Sequence, residues 1–414
     1  MTQVSPTKPH VSSDARRSLL RDDRPIPTVV RSARDLTTAV TSAAADLLAP
    51  VALPISAEGV TFDMAQVAAW VDYEHFAVGR WDGSLTVFRF SDARERGPLI
   101  AVAASSPSSE GVQMIAWVAP RVFATSNDES TVAVWTPNER WNRLELVNQL
   151  RYDAAWGAAV SGDAFAYDGG VCLAVGHANG FVTFWCGGAD GAGLKFSACA
   201  DVRNPQPANP WGLQHVRGLA VLESAGAPTR VVTGSENGDV CVLSVPDGRL
   251  LARARYNPTA QRGINAVAVS GDDVLVANCA VGRHDRNLWL LHVDSSTSAL
   301  TVCDALNLQL NADAAQVFNF CVVWAEDGEG RCFFASTEEG ALWMGRATSG
   351  KSLTLVGHQR VTSPLGAALA YAGNGNLAFV AYDLYEFNTR PARVDVEGNP
   401  QRLTALTPCA DGAA

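Results

Sequence analysis

Long apolar stretches are absent from this sequence of 414 residues. No run of about 18 uncharged apolar residues occurs, which is the length that crosses a bilayer as a helix, so we expect no membrane span. The first residues also lack the charged, apolar and small-residue sections of a secretory signal.

Cysteine spacings that indicate metal sites or redox pairs are also absent. The nine cysteines include no C-x-x-C pair, their number is odd, and most fall inside apolar strand-like runs. We therefore expect neither a zinc site nor structural disulfides, but buried free thiols in a reducing compartment. This predicts a cytoplasmic protein, with the nucleus as the alternative.

Catalytic signatures are missing as well. The sequence has no H-E-x-x-H, no H-x-H, no G-x-S-x-G elbow and no G-x-x-x-x-G-K-[ST] phosphate loop. We predict no metal, no cofactor and no catalytic residues.

Basic charge is scarce, with 32 Lys and Arg against 42 Asp and Glu and a formal net charge of −10. Binding to a nucleic-acid duplex needs clustered Lys and Arg, so no direct nucleic-acid partner is expected. Arginines are concentrated only near the N-terminus, where they alternate with aspartates, at positions 16, 17, 21, 24, 31 and 34.

What the sequence does contain is a repeat with a period of about 50 residues. A short apolar strand of similar layout recurs seven times, as AQVAAWV at 65–71, VQMIAWV at 112–118, AWGAAVS at 155–161, VRGLAVL at 216–222, INAVAVS at 264–270, FNFCVVW at 318–324 and PLGAALA at 364–370. Most copies precede two further β-type runs joined by a turn, such as Asn179-Gly180 or Asn237-Gly238, and a more variable fourth run. We predict an all-β fold: a seven-bladed β-propeller of four-stranded antiparallel blades, with an N-terminal arm and helix.

The segment LVGHQRVTSPLGAALAYAGNGNLAFVAYD at 355–383 resembles the WD-repeat pattern, in which Gly-His precedes the first strand of a unit. Gly176-His177 recur within a turn, and Trp135 and Trp185 stand where that family has Trp-Asp, although Thr136 and Cys186 follow them. No unit carries the complete His, Ser/Thr, Trp, Asp set. Residues from about 60 to 408 are therefore similar to a degenerate WD-repeat (WD40-like) β-propeller protein.

Three regions are predicted: an arm with a short helix and a closing strand at 1–58, the propeller at 59–408 and a tail at 409–414. The helix is expected to begin at Ser32 and to end before Pro50. It either packs on the propeller or forms an arm that docks on a second partner, and a mitochondrial transit peptide is a third interpretation. The last blade closes either with residues 392–396 and 401–407 or with VALPISA at 51–57.

Candidate binding residues are sought on one face. The resemblance implies that the turns between second and third strands share a face with the connections into each first strand. Second residues of the seven apolar copies are mostly polar and form a predicted ring at the channel mouth: Gln66, Gln113, Trp156, Arg217, Asn265, Asn319 and Leu365. The same face is expected to carry Arg80-Trp81-Asp82, Asn127-Asp128-Glu129, Arg283-His284-Asp285 and Glu338-Glu339.

Trp81 is the preferred interface candidate, because exposed Trp and Arg dominate protein interfaces. The alternative is that Trp81 folds over a neighbouring blade, and Trp141 and Trp211 have the same two interpretations. The predicted partner-binding set is Arg80, Trp81, Asp82, Gln113, Trp156, Arg217, Asn265, Asn319, Arg283 and His284.

Two functional hypotheses follow. The first is a non-enzymatic protein–protein interaction scaffold, a subunit or adaptor of a multiprotein complex that binds a partner on the loop-rich face. The second is a propeller enzyme or small-molecule sensor that uses the channel mouth, with Arg217 holding an anion near His284 or His177. The proline-rich segment NPQPANPWGLQH at 204–215 is either an insertion that reaches a partner or a longer connection.

Overall fold

The computed structural model describes residues 27–32, 51–52, 65–71, 75–80, 82–90, 99–105, 111–126, 130–207, 209, 211–224, 228–257, 262–281, 284–311, 314, 316–327, 330–360, 365–371, 377–382 and 407–408. These residues form β-strands and one 3-10 turn at Ala154–Trp156, and they contain no α-helix. No helix among them is long and apolar enough to cross a membrane.

The strands of the first half are β1 (Pro27–Ser32), β2 (Val51–Ala52), β3 (Ala65–Trp70), β4 (His75–Arg80), β5 (Leu85–Phe90), β6 (Leu99–Ser105), β7 (Ile115–Ala119), β8 (Val122–Ser126), β9 (Thr131–Pro137), β10 (Leu144–Arg151), β11 (Ala159–Tyr167), β12 (Gly170–His177), β13 (Phe181–Gly187) and β14 (Lys195–Asp201).

The strands of the second half are β15 (Gly218–Leu222), β16 (Arg230–Gly234), β17 (Asp239–Ser244), β18 (Leu250–Arg255), β19 (Ile264–Ser270), β20 (Asp273–Val281), β21 (Leu288–Val293), β22 (Leu300–Leu306), β23 (Gln316–Asp327), β24 (Gly330–Thr337), β25 (Ala341–Thr348), β26 (Ser352–Arg360), β27 (Leu365–Tyr371), β28 (Leu377–Tyr382) and β29 (Thr407–Pro408).

Four consecutive antiparallel strands make up each of six repeats. Repeat 1 is β3–β6, repeat 2 is β7–β10, repeat 3 is β11–β14, repeat 4 is β15–β18, repeat 5 is β19–β22 and repeat 6 is β23–β26. The seventh apolar copy, β27, belongs to a closing sheet in the order β2-β1-β28-β27. All seven apolar copies contribute a strand, as the periodicity predicts.

The described strands form six hydrogen-bonded sheets, not seven separate blades. Repeats 5 and 6 share one nine-stranded sheet, because β20 continues past its partner β21 and pairs Cys279–Val281 with Gln316–Phe318 of β23. Buried asparagines satisfy the backbone where the strands diverge: the Asn287 amide donates to the Leu308 and Val317 carbonyl oxygens at 3.0 and 3.5 Å. The prediction of seven separate blades is therefore corrected.

The ring closes with residues from near the N-terminus. β1 pairs along its whole length with β28, from Pro27 opposite Tyr382 to Ser32 opposite Leu377, and β2 pairs outside it. The N-terminal alternative is thus observed, although the main closing strand lies upstream of VALPISA, in a segment expected to be part of the arm. Ser32 ends a strand, and the rest of the predicted helix lies outside the described residues, so no N-terminal helix belongs to the described fold.

The C-terminal alternative for closure is not observed among the described strands. Thr407–Pro408 pair with Gly357 and His358 of β26 in repeat 6 rather than with the closing sheet. Residues 392–396 lie outside the part of the chain that the structure describes.

The core is distributed between neighbouring repeats. Apolar clusters join repeats 1 and 2, 2 and 3, 3 and 4, 4 and 5, and 5 and 6. The largest fully buried side chains include several phenylalanines, among them Phe123, Phe184 and Phe333. Each such side chain stabilises the fold by roughly 1.5–3 kcal/mol on burial, and the summed contacts hold each sheet at a fixed position beside the next.

One cysteine prediction was wrong. Cys172 and Cys186 stand directly opposite each other on β12 and β13 and form a disulfide. Adjacent strands bring such a pair within bonding reach whatever its spacing in sequence, so the absence of C-x-x-C could not exclude it. Buried free thiols are confirmed at Cys241 and Cys279.

Candidate functional site

The loop face is the side of the ring that carries the turns between second and third strands. Connections into the first strands lie on these turns, as backbone hydrogen bonds show: Val112 N donates to Arg80 O at 2.9 Å, Val216 N to His177 O at 3.2 Å and Ile264 N to Ser235 O at 3.1 Å. Both kinds of loop therefore meet on one face, as predicted from the resemblance.

The first predicted site lies partly inside the protein. Arg80 is only 6% exposed, and its guanidinium donates a 2.7 Å hydrogen bond to Thr86 Oγ1. Asp82 is exposed, and its Oδ1 accepts from the Ser84 N–H at 2.9 Å, which fixes the turn. Trp81 lies outside the described residues. The expectation of an exposed Arg80 is corrected, because its guanidinium braces the neighbouring strand β5.

The predicted channel-mouth ring is also partly structural. Asn319 is fully buried and donates to Asn287 O at 3.0 Å, while Asn265 donates to Asn319 O at 2.9 Å. Gln113 is half-buried, and its N–H donates to Ser126 Oγ at 2.7 Å. Asn319 therefore links backbone segments and does not reach the surface.

Two predicted residues of repeat 5 remain. His284 is exposed, and Arg283 lies outside the described residues. Trp141, for which the sequence allowed either an exposed position or packing over a neighbouring blade, is buried. It stacks on His75 of repeat 1 with ring centroids 3.6 Å apart. The interpretation in which a tryptophan packs over a neighbouring blade is thus confirmed for Trp141.

Trp156 belongs to an aromatic cluster on repeat 3. It ends the 3-10 turn whose N-cap Asp153 accepts from Ala155 N at 2.9 Å. Its ring centroid lies 5.9 Å from that of Phe196 and 6.3 Å from that of Phe181. Since Phe196 is 50% exposed, the cluster is partly open to solvent.

Partial versions of the WD-repeat hydrogen-bond set are present. His177 Nε2 and Trp185 Nε1 both lie 2.9 Å from Thr183 Oγ1, so one buried hydroxyl joins the two rings. Burial lowers the pKa of His177 to about 4, although a contact with the Gly157 carbonyl opposes this, so the imidazole is neutral at pH 7. Sequence reasoning missed this set because the threonine lies on the third strand, two residues before the tryptophan.

Two further repeats use a Thr–Trp pair. Trp135 Nε1 donates to Thr125 Oγ1 at 2.8 Å in repeat 2, and Trp343 Nε1 donates to Thr337 Oγ1 at 3.2 Å in repeat 6. In both cases the threonine lies on the second strand and the tryptophan on the third. Each pair joins the second and third strands of its repeat and so stabilises it.

The connection between repeats 3 and 4 lies on this face and is held by several side-chain hydrogen bonds. Its two ends are joined reciprocally, because Asn204 N donates to Gln214 Oε1 at 2.9 Å and Gln214 Nε2 donates to Asn204 O at 2.9 Å. Asn209 holds the tip: its amide donates to Leu213 O and Glu236 O at 2.9 and 2.8 Å, and its Oδ1 accepts from Trp211 N at 3.2 Å. We call the described residues between 203 and 217 the Trp211 loop.

Trp211 stands at the tip of this braced loop with 71% of its surface exposed. It is the most exposed large apolar side chain among the described residues. Because the backbone around it is fixed by hydrogen bonds, a partner that covers the indole would order few additional groups.

A charged cluster supports one end of the Trp211 loop. Glu236 accepts from Arg217 Nε at 2.5 Å, and its second oxygen lies 3.1 Å from His215 Nδ1. Burial raises the pKa of Glu236, but hydrogen bonds and charge from His215 and Arg217 outweigh burial and bring it to about 2. Arg217 is thus committed to an internal carboxylate rather than held open for an anion.

The other end rests on a second charged cluster. Buried Asp239 accepts from Asn204 Nδ2 at 3.0 Å and from Arg253 Nη1 at 3.1 Å. Arg203 pairs with Asp201 at 2.5 Å and places its guanidinium 4.6 Å from the Phe181 ring centroid. These contacts connect the Trp211 loop to the aromatic cluster of repeat 3.

The opposite end of the channel has a shallow cavity of about 370 Å³, lined by Ala164, Phe165, Val221, Glu223, Val269 and Gly271. Next to it, Asp163 accepts from Val221 N at 3.0 Å, and burial raises its pKa to about 6. Within the described ranges, no three His, Cys, Asp or Glu residues come together as a metal site.

Comparisons with known proteins agree with this architecture. The chain is similar to the crystal structure of the WD40 β-propeller domain of Doa1, with a TM-score of 0.54, 12% identity, and coverage of 77% of this chain and 91% of that one. The fold is a WD40-like β-propeller. The β-propeller domain of Cps50 (Swd1) from Myceliophteria thermophila is similar too, with a TM-score of 0.51, 12% identity, and coverage of 74% and 92%. No protein-family model and no curated protein matched the sequence.

Proposed function

We propose that this protein is a non-enzymatic interaction scaffold, an adaptor or subunit of a multiprotein complex, that binds a protein partner on its loop face. The observation that carries this proposal is the 71% exposure of Trp211 on a loop held by hydrogen bonds. Tryptophan is the residue type most enriched among interface hot spots, and a preformed loop lowers the entropy cost of binding.

The second hypothesis, a channel-mouth enzyme or sensor, has less support. Its anion-binding residue Arg217 is engaged by Glu236 at 2.5 Å. Its candidate His177 is fully buried and hydrogen-bonded to Thr183. Because Arg217 is paired with a carboxylate of the protein and His177 is buried, the partner-binding function is preferred.

The test is affinity capture with the full chain and with Trp211→Ala, quantified by mass spectrometry. We expect one stoichiometric partner with the native chain and at least about a tenfold loss with the variant, as for a hot-spot residue. Trp81→Ala tests the residue preferred from sequence in the same experiment.

Leu250→Ser is the matched control, because Leu250 is an apolar residue 41% exposed at the other end of repeat 4. Equal capture by the native chain, Trp211→Ala and Trp81→Ala would contradict a loop-face scaffold anchored by tryptophan. Loss with Leu250→Ser alone would move the interface to the opposite side.

A further inference from the structure

Arginines gather at the Trp211 loop although the whole chain carries a net charge of −10. Arg203 and Arg217 belong to the loop, and Arg253 and Arg255 lie on strand β18. Arg253 donates to the Arg203 backbone carbonyl at 3.0 Å, which places the outer strand β18 against the start of the loop.

The acidic partners of these arginines lie beneath them. Asp239 is buried under Arg253, with side-chain exposures of 3% against 30%, and Glu236 is 15% exposed against 35% for Arg217. At these two pairs, the surface that a partner meets is therefore formed by guanidinium groups rather than by carboxylates. Arg203 and Asp201 are both well exposed and offset each other.

Arg255 adds a positive charge near Asp239: burial raises the pKa of that carboxyl, and the charges of Arg253 and Arg255 oppose the rise. Arg255 stands opposite Asp239 in the β17–β18 ladder, on the same side of the sheet as Arg253. Its guanidinium makes no hydrogen bond or ion pair with the described residues, and its side chain is exposed. Its five N–H donors are available to a ligand.

We propose that the Trp211 loop and its bordering arginines bind an acidic peptide segment of a partner protein, in which carboxylates flank an aromatic or aliphatic side chain. This deepens the proposed function and rests on it, since it names the class of partner for the same surface. The apolar side chain packs on Trp211, and carboxylates meet Arg255 and the outer faces of Arg203 and Arg253.

Carboxylates fit this surface better than a phosphate group. Three of the arginines, Arg203, Arg217 and Arg253, each pair with one carboxylate of the protein itself. Only part of the N–H donors of each guanidinium is therefore open to a ligand. A phosphate group of charge near −2 needs several uncommitted guanidinium groups around one point. Of the four arginines at this surface, three are paired with carboxylates of the protein, which leaves Arg255. Singly charged carboxylates spread along an extended segment match donors that are spread along the loop.

The experiment selects binders from a phage-displayed library of random dodecapeptides with the full chain. We expect selected peptides rich in Asp and Glu around one apolar residue. Binding of a selected peptide, measured by fluorescence anisotropy, is expected to weaken about tenfold in Arg255→Gln and further in Arg255→Gln with Arg203→Gln. It is also expected to weaken with rising salt.

Arg249→Gln is the matched control, because Arg249 is exposed and directly precedes β18, at the end opposite Arg255. Its binding should equal that of the native chain, and thermal unfolding of all variants checks that they fold. Neutral or basic selected peptides, no enriched peptide, or equal loss in Arg249→Gln would overturn the proposal.

Other occupants give distinct results. Tighter binding when phosphoserine replaces one Glu of a selected peptide would assign the surface to phosphorylated segments and overturn the carboxylate proposal. A dimer that Arg255→Gln dissociates would make a second copy the occupant, with the same consequence. If partner capture depends on Trp211 but not on Arg255, the proposal of an acidic peptide is contradicted and the scaffold function stands. If capture depends on neither residue, the scaffold function is contradicted too.

Discussion

Thr183 shows how a single hydroxyl holds a repeat together. It lies 2.9 Å from both His177 Nε2 and Trp185 Nε1, and all three side chains are buried. The Thr–Trp pairs of repeats 2 and 6 serve the same purpose with one partner fewer.

Thr183→Val keeps the shape of the side chain and removes the hydroxyl. The buried ring nitrogens of His177 and Trp185 then lose a partner, so we expect the free energy of unfolding to fall by roughly 1–3 kcal/mol. Urea unfolding measures this, with Thr301→Val on the exposed part of β22 as the control. Equal midpoints for the two variants would contradict the structural role of Thr183.

Glu236 predicts a pH dependence with a definite sign. Its folded pKa, about 2, lies below the ordinary value of 4.5, so ionised Glu236 stabilises the fold above pH 4.5 and this stabilisation is lost as pH falls toward 2. We expect Glu236→Gln to lower the free energy of unfolding at pH 7 by on the order of 3 kcal/mol, with the difference shrinking below pH 4.5. A difference that stays constant from pH 7 to pH 3 would contradict the ion pairs with Arg217 and His215.

The two tryptophans of the long connections show why exposure could not be predicted from sequence. Trp141 stacks on His75, which comes from the preceding repeat. Trp211 is directed outward because Asn209 fixes the loop tip against repeat 4. Trp141 is therefore placed by a contact with another repeat, and Trp211 by the hydrogen bonds of its own loop.

At the scale of elements, strands were predictable because their signals are local. Period-two alternation and turns such as Asn179-Gly180 lie within a few residues of the strands they specify. The pairing of β20 with β23 could not be predicted from sequence, because it depends on where β20 leaves β21 and on the buried Asn287. The closing strand β1 was missed for a related reason: its short run, PTVVRS, gains a partner only when β28 is folded nearby.

Closure by β1 can be measured directly. We expect amide hydrogens of residues 28–32 to exchange slowly, because β1 lies between β28 and β2. Val30→Pro removes one ladder donor in the middle of this strand and should destabilise the closing sheet by roughly 1–3 kcal/mol. Exchange at the rate of an unstructured peptide in the native chain would contradict N-terminal closure.

At the scale of the whole molecule, charge is unevenly distributed. The chain is acidic, with a formal charge of −10, yet arginines gather where the Trp211 loop crosses repeat 4. The WD40-like ring keeps these loops on one rigid face, because its core lies between repeats. Sequence predicted the face, on which Asp82 and His284 are exposed and Trp156 is half-buried. The preferred tryptophan, Trp81, lies outside the described residues, so its role stays a prediction.

The most direct measurement of the central claim is site-specific photo-crosslinking in cells. Benzoylphenylalanine replaces Trp211 in one full-length variant and Leu250 in another, which keeps an aromatic ring at position 211. We predict that irradiation joins a single protein to position 211 and none to position 250. Crosslinks at position 250 only, or at neither position in a folded protein, would contradict a partner-binding loop face.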